Sequence, residues 1–327
     1  MSQELYRLCR KACCYDEKNV EKRWNDVEQW MEERNGLLES VHYKDEYASN
    51  CLHYVVRSQP PSRLVQKLLQ FAPELVKEQS IAGWLPLHVA LYNKASYSTV
   101  KVLLMSYPKS VQVQNVQGLL PLHIACSVGT SLELLDLLLL AYPESIGIKD
   151  IMGTSPPNYL SKLVYSDKSS EQAFLLRDAI IGGYSMHLLR LLLIAFPESY
   201  KKQDNSGKIP LHHACSTDSE RTSAYVIILL DADSGAESLS VKDFYGNTPL
   251  QLKDENERLP LHRLVATSSG VSLKYLKILV NSFPESIATP DKFGYLPFHY
   301  ACLNPSSSLE ILMFFILMSP EVLYYFL

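Results

Sequence analysis

Six of the nine histidines, His53, His88, His123, His212, His262 and His299, occupy one recurring slot. The string before them reads NCLH at His53, then WLPLH, LLPLH, KIPLH, RLPLH and YLPFH. Imidazoles in a repeated slot could hold a metal or act as bases. Zinc, however, needs about four ligands near 2 Å, and successive stacked helices stand about 8–10 Å apart. One histidine per helix therefore makes a ladder rather than a cluster, and each imidazole is expected to hydrogen-bond loop backbone. Cys126, Cys215 and Cys302 follow three residues after such histidines, where a small apolar core residue with an inert thiol is expected. Cys13 and Cys14, beside Arg10 and Lys11, are candidates for thiols of lowered pKa. No phosphate-binding glycine loop, HExxH, GxSxG or kinase-like set occurs. The expectation is no catalytic site, no metal, no cofactor and no enzyme.

The elements that position these residues follow from their spacing. His53, His88 and His123 lie 35 residues apart, and a further 35 reaches Asn158 in a decayed copy. A proline, usually in PES or PE, recurs at Pro73, Pro108, Pro143, Pro197, Pro284 and Pro320, and after the first five of these the histidine-slot residue follows 15 positions on. Proline after Leu85, Leu120 or Ile209 suits the first turn of a helix. Ser96, Ser131, Ser185, Ser272 and Ser308 are placed to cap a second helix, whose leucines three and four apart form a buried stripe. Between helix pairs lies a D-x-x-G loop, at Asp150–Gly153, Asp204–Gly207, Asp243–Gly246 and Asp291–Gly294. Its glycine suits a positive φ and its aspartate can bond its own backbone.

These motifs resemble the ankyrin-repeat family, whose units of about 33 residues carry T-P-L-H-x-A and a D-x-x-G loop. The resemblance covers nearly the whole chain and implies an all-α, helix-turn-helix solenoid with short hairpin loops, in seven to eight repeats. Two departures stand out. The family's threonine survives only at Thr248, which removes the usual hydroxyl partner of the motif histidine. Tyr-Pro or Phe-Pro replaces the usual glycine-alanine after the second helix.

Residues 1–38 are read as a divergent N-terminal capping repeat, with Val20, Trp24, Val27 and Met31 on one apolar stripe and charges elsewhere. Residues 39–327 are read as the repeat array, interrupted near 164–183 and 246–257. The first interruption suits a short helix containing Ala173, Phe174, Leu175, Leu176 and Ile180, packed on the array. The second sets DFYGNTPLQ and DENERLPLH, which begin at Asp243 and Asp254, only 11 residues apart, too few for a helix pair, so either one finger is elongated or a unit was lost. The favoured reading is a long exposed hairpin carrying Asp254, Glu255, Glu257 and Arg258. The segment Leu309–Leu327 is apolar all round. It is read as the interior of a longer, truncated array, with exchange into a partner and membrane attachment as the weaker alternatives.

With 31 Lys+Arg against 35 Asp+Glu and a net charge of −4, no nucleic-acid partner is expected. The first residues show neither the apolar run nor the cleavage pattern of a secretory signal, so an intracellular, cytoplasmic or nuclear location is expected, with reduced thiols. The resemblance implies a non-catalytic scaffold that binds another protein; the alternative is a regulatory arm of a longer enzyme, channel or membrane-attached protein. Carried over by motif position, the partner-binding candidates are Trp84, Gln117, Leu119, Lys208, Lys292, Phe293 and Tyr295 around the loops. Tyr92 and Asn93, after the motif histidine, complete the set. Ile81 and Val116 follow from the same rule.

Overall fold

The computed structural model describes residues 4–12, 20–33, 43–166, 174–217, 221–233, 236–267 and 272–320. Among them the structure is helical, without strands. Cys13, Cys14, Ala173 and the end of the apolar C-terminal segment lie outside the described residues, as does the side chain of Val20. The chain divides into two compact units, Met1–Lys168 and Ser169–Leu327.

The first unit opens with α1 (Glu4–Ala12) and α2 (Val20–Glu33). Trp24, Val27 and Met31 are buried, as are Leu5, Tyr6 and Cys9 of α1, so the expected stripe packs inward and α1 lies against both α2 and α3. Helix pairs α3 (Cys51–Arg57) with α4 (Ser62–Phe71), α5 (Pro86–Tyr92) with α6 (Tyr97–Ser106), and α7 (Pro121–Val128) with α8 (Leu132–Ala141) follow. Helix α9 (Pro156–Ser166) then packs on α7. Proline opens α5 and α7, where its missing N–H is no loss. The prolines after α4, α6 and α8 end those helices and begin short 3-10 turns, Pro73–Lys77, Pro108–Gln112 and Pro143–Gly147. Of the expected serine caps, the Ser96, Ser185, Ser272 and Ser308 oxygens accept a backbone N–H, while Ser131 holds the position without a side-chain bond.

The second unit contains α10 (Leu175–Ile181), α11 (Met186–Ala195), α12 (Pro210–Ser216), α13 (Thr222–Ala232), α14 (Pro260–Ala266), α15 (Leu273–Ser282), α16 (Pro297–Leu303) and α17 (Leu309–Met318). The short helix expected in the interruption near 164–183 forms as α10 and packs on the array; it pairs with α11 and stacks on α12, in the seat of a first helix. Leu176, Ala179 and Ile180 are buried, and Gly183, at φ 67, turns the chain into α11.

The reading of 246–257 as a long exposed hairpin is corrected. Two complete loops, at Asp243 and Asp254, are joined by the single 3-10 turn Pro249–Gln251. There Gln251 Oε1 accepts the Thr248 N–H at 2.9 Å, the role histidine plays in other units. Asp254 is buried, with Arg258 Nε at 2.8 Å and Arg263 Nε at 3.8 Å. Glu257 takes the left-handed position of the missing glycine, at φ 57. Arg263, itself buried in α14, donates to the Cys215 carbonyl and the Thr222 hydroxyl, tying α14 to α12 and α13 across the abbreviated unit.

Candidate protein-interaction surface

Loops that project between helix pairs, hereafter fingers, share one construction. The opening residue accepts, through one side-chain oxygen, the N–H groups two and four residues on: Asp150 Oδ1 receives those of Met152 and Thr154, both at 2.8 Å. Asp45, Asn115, Asp204, Asp243, Asp254 and Asp291 repeat the pattern. Ser80 manages only the second bond, to the Trp84 N–H. Adjacent fingers are bonded to each other. The Ile81 N–H donates to the Tyr47 carbonyl at 2.9 Å, Val116 to Ala82 at 3.1 Å and Ile151 to Gln117 at 3.1 Å. In the second unit Phe244 donates to Ser206 and Lys292 to Asn256, both at 3.0 Å. Close approach accounts for one glycine in particular: a Cβ on Gly118, at φ 73, would meet the Ile151 nitrogen at 2.9 Å.

The motif histidines tie each finger to its helix. Nδ1 of His88 accepts the Leu85 N–H and Nδ1 of His123 the Leu120 N–H, both at 3.0 Å. His53, His212, His262 and His299 do the same for the residue three before them. With Nδ1 accepting, the proton sits on Nε2. Nε2 then meets the carbonyl of the following finger: His53 to Trp84 at 2.9 Å, His123 to Thr154 and His212 to Asn247 at 3.2 Å, His262 to Tyr295 at 3.1 Å. His88 faces the Leu119 backbone in the same way, with Nε2 outside hydrogen-bond geometry. The expected bonding of the ladder to loop backbone is thus observed, and the absent threonine hydroxyl is replaced by a backbone N–H. Burial holds the imidazoles of His53, His123, His212 and His262 below the ordinary histidine range and pushes His88 down to about 4. Among the described residues no group of His, Cys, Asp and Glu could hold a metal ion.

Cys126 and Cys215 are fully buried, and burial raises both thiols, Cys215 to about 12. Cys302 departs from the expected core slot and is exposed. First helices cover one another in the stack, and among the described residues no further first helix lies over α16.

The nine candidate contact residues separate into two groups. Exposed ones are Tyr92 at 58 %, Phe293 at 64 % and Tyr295 at 48 %, together with Gln117 and Lys292. Trp84 is half-buried, its ring edge-on to Tyr92 at 5.5 Å and tilted over His88 at 6.1 Å. Its carbonyl receives the His53 proton, so it props Tyr92 and the finger base while offering part of its surface. Leu119 and Lys208 are half-buried at finger bases, their N–H groups on Asn115 and Asp204. Asn93 serves the helix instead, since its Nδ2 donates to the Val89 carbonyl at 2.8 Å and caps α5. The structure brings Trp84 and Tyr92 into contact, and places Lys292, Phe293 and Tyr295 on one finger.

Sequence reasoning passed over Tyr47, Ile151, Met152, Phe244 and Tyr245, all exposed at finger tips. Their signal is positional. Each is the first or second residue after a finger-opening aspartate, the same places as Ile81, Val116 and Phe293. In the first unit the tips of four fingers bonded in series thus carry Tyr47, Ile81, Val116, Ile151 and Met152.

Among the described residues no helix is long and apolar enough to cross a membrane. A search of curated proteins returned no match to the chain. Comparison with protein families matches residues 41–150 to ankyrin repeats in three copies, the span from the Asp45 finger through α8 to the Asp150 finger. Serially bonded fingers, proline-initiated first helices and the imidazole ladder are the physical content of that match, and residues 41–150 are similar to ankyrin repeats.

Proposed function

We propose that the chain is a non-catalytic scaffold that binds another protein through its finger tips and the adjoining ends of its first helices. Ankyrin repeats are a protein–protein interaction module. The observation that carries the reading is the row of exposed apolar and aromatic side chains, Tyr47, Ile81, Val116, Ile151 and Met152, on fingers held rigid by backbone bonds. Scattered exposed apolar residues are ordinary on a protein surface, but a contiguous row on a rigid backbone marks an interface. Tyr92, Phe293 and Tyr295 add aromatic area of the kind that dominates binding energy. A reducing, intracellular setting accords with the buried thiols of Cys126 and Cys215.

The test compares three forms of the full chain in affinity capture: wild type, a finger variant (Tyr92→Ser with Phe293→Ser), and an outer-face variant (Met105→Ser with Leu140→Ser). Met105 and Leu140 are exposed on second helices, away from the fingers. A protein retained by wild type and the outer-face variant, and lost from the finger variant, supports the reading. Retention by the finger variant with loss from the outer-face variant contradicts it.

A further inference from the structure

The aspartate that opens a finger has a second oxygen, and the fingers treat it consistently. Oδ2 takes a donor from the side chain nine residues on. Tyr54 reaches Asp45, Tyr159 reaches Asp150 and Tyr300 reaches Asp291, each at 2.6 Å, and His213 reaches Asp204 at 2.8 Å. For Asp254 the ninth residue is Arg263, assisted by Arg258. Fingers opened by uncharged Ser80 and Asn115 have Val89 and Ile124 at that position. Charge and donor therefore occur together or are absent together in seven of the eight fingers described.

Asp243 breaks the pattern. Its ninth residue is Leu252, beyond the single turn Pro249–Gln251, because the helix that would carry a donor is missing. Asp243 is 5 % exposed, and its Oδ2 is buried without a hydrogen-bond partner. Asn115 Nδ2 is also unpartnered, but it carries no charge. A buried carboxylate oxygen left without a donor is costly. Burial raises its pKa, yet the Asn247 and Tyr245 N–H groups, with His212 and Lys208 nearby, outweigh that and keep it ionised. Beside it stand two exposed rings. Phe244 leans over Gly207, and Tyr245 is 81 % exposed.

We propose that Asp243, Phe244 and Tyr245 form a receptor for an arginine side chain of a partner protein, whose guanidinium supplies the donor that Leu252 cannot. The proposal rests on the protein-binding reading above. Guanidinium fits because it matches the carboxylate in charge, presents several N–H groups in a plane and stacks on aromatic faces. The neighbouring finger shows the pairing inside this chain, where arginines serve Asp254.

The experiment titrates the full chain with N-acetyl-arginine amide, following the backbone amide signals of Tyr245, Gly246, Asn247 and Leu252 by NMR. N-acetyl-citrulline amide and N-acetyl-lysine amide are the controls. Asp243→Asn keeps the Oδ1 acceptor, as Asn115 does in its own finger, and so preserves the loop. Phe244→Ala with Tyr245→Ala is a second variant, which removes the two exposed rings beside the carboxylate. The expected result is saturable shifts with a Kd on the order of millimolar, at least about threefold weaker with lysine, and absent with citrulline and in both variants. Equal shifts with citrulline, shifts that persist in both variants, or no saturation would overturn the proposal and leave Oδ2 to a water molecule alone. Those failures would leave partner capture through Tyr92 and Phe293 untouched, so the two readings fail separately.

Discussion

The Nε2–H of His53 donates to the carbonyl oxygen of Trp84, 31 residues later, at 2.9 Å. On the same ring Nδ1 receives the Asn50 N–H at 3.2 Å. One imidazole thus ties the start of its own helix to the next finger.

Acid should weaken the fold well before its carboxylates respond. The folded pKa values of His53, His88, His123, His212 and His262 lie below the unfolded value, so the unfolded chain binds protons more readily. Their contribution is full above about pH 6.5 and falls as pH drops toward the folded values. His88, held at about 4, alone accounts for roughly 2 kcal/mol lost by pH 5. Asp45, Asp150, Asp204 and Asp291 are held low by finger and side-chain hydrogen bonds against the opposing effect of burial. They lose their contribution only below about pH 4. Urea midpoints at pH 7.5 and 5.0 check this; equal midpoints would contradict it.

His123→Gln should cost less than His123→Ala. Gln251 already performs the capping half of the histidine's role, so glutamine loses mainly the link to the Thr154 carbonyl, about 1 kcal/mol. Alanine also loses the cap and leaves a cavity, about 2–4 kcal/mol in all. Chemical denaturation of the two variants gives the order directly.

Glycine substitutions should separate by neighbourhood. Gly118 and Gly294 both have positive φ, but a Cβ on Gly118 meets the next finger's backbone at 2.9 Å, and one on Gly294 meets nothing within 4 Å. Alanine at either site costs about 1 kcal/mol for the left-handed backbone. Gly118→Ala should cost at least about 1 kcal/mol more, read as a lower thermal midpoint than that of Gly294→Ala.

Tyr159→Phe removes a 2.6 Å hydrogen bond to the Asp150 carboxylate and leaves a buried charge short of one donor. The expected loss is about 1.5–3 kcal/mol. The phenol, pushed up to about 12 by burial and by Asp150, should also titrate later than a free tyrosine, visible in ultraviolet absorbance. A phenol titrating near 10 would show that the bond is not formed.

What could be read from the sequence depended on how strongly each slot constrains chemistry. Histidine, proline and the left-handed glycine each answer a strict backbone demand, so fingers and helix starts were legible at Gly83, Gly118, Gly153, Gly207 and Gly294. Where a Cβ is tolerated in the left-handed position, as at Ala48 and Glu257, the D-x-x-G signature vanishes although the finger forms. The turn Pro249–Gln251 and the seat of α10 were hidden because a shortened or displaced helix leaves the hydrophobic pattern nearly unchanged. Donors to the finger aspartates escaped notice for another reason. Tyrosine, histidine and arginine serve equally well nine residues on, so no single letter recurs. Among the binding candidates, motif position located Tyr92, Phe293 and Tyr295 on the surface but could not foresee that Asn93 caps its helix and that Trp84 is wedged beneath Tyr92.

Whether a partner protein is held by the fingers is tested most directly by site-specific photocrosslinking in cells. A benzophenone amino acid is placed in turn at Tyr47, Val116 and Phe293, and, on the outer face of the second helices, at Met105 and Leu140. The predicted result is a discrete adduct of the same protein from the finger positions and none from the outer face. Adducts confined to Met105 and Leu140 would contradict finger-mediated binding.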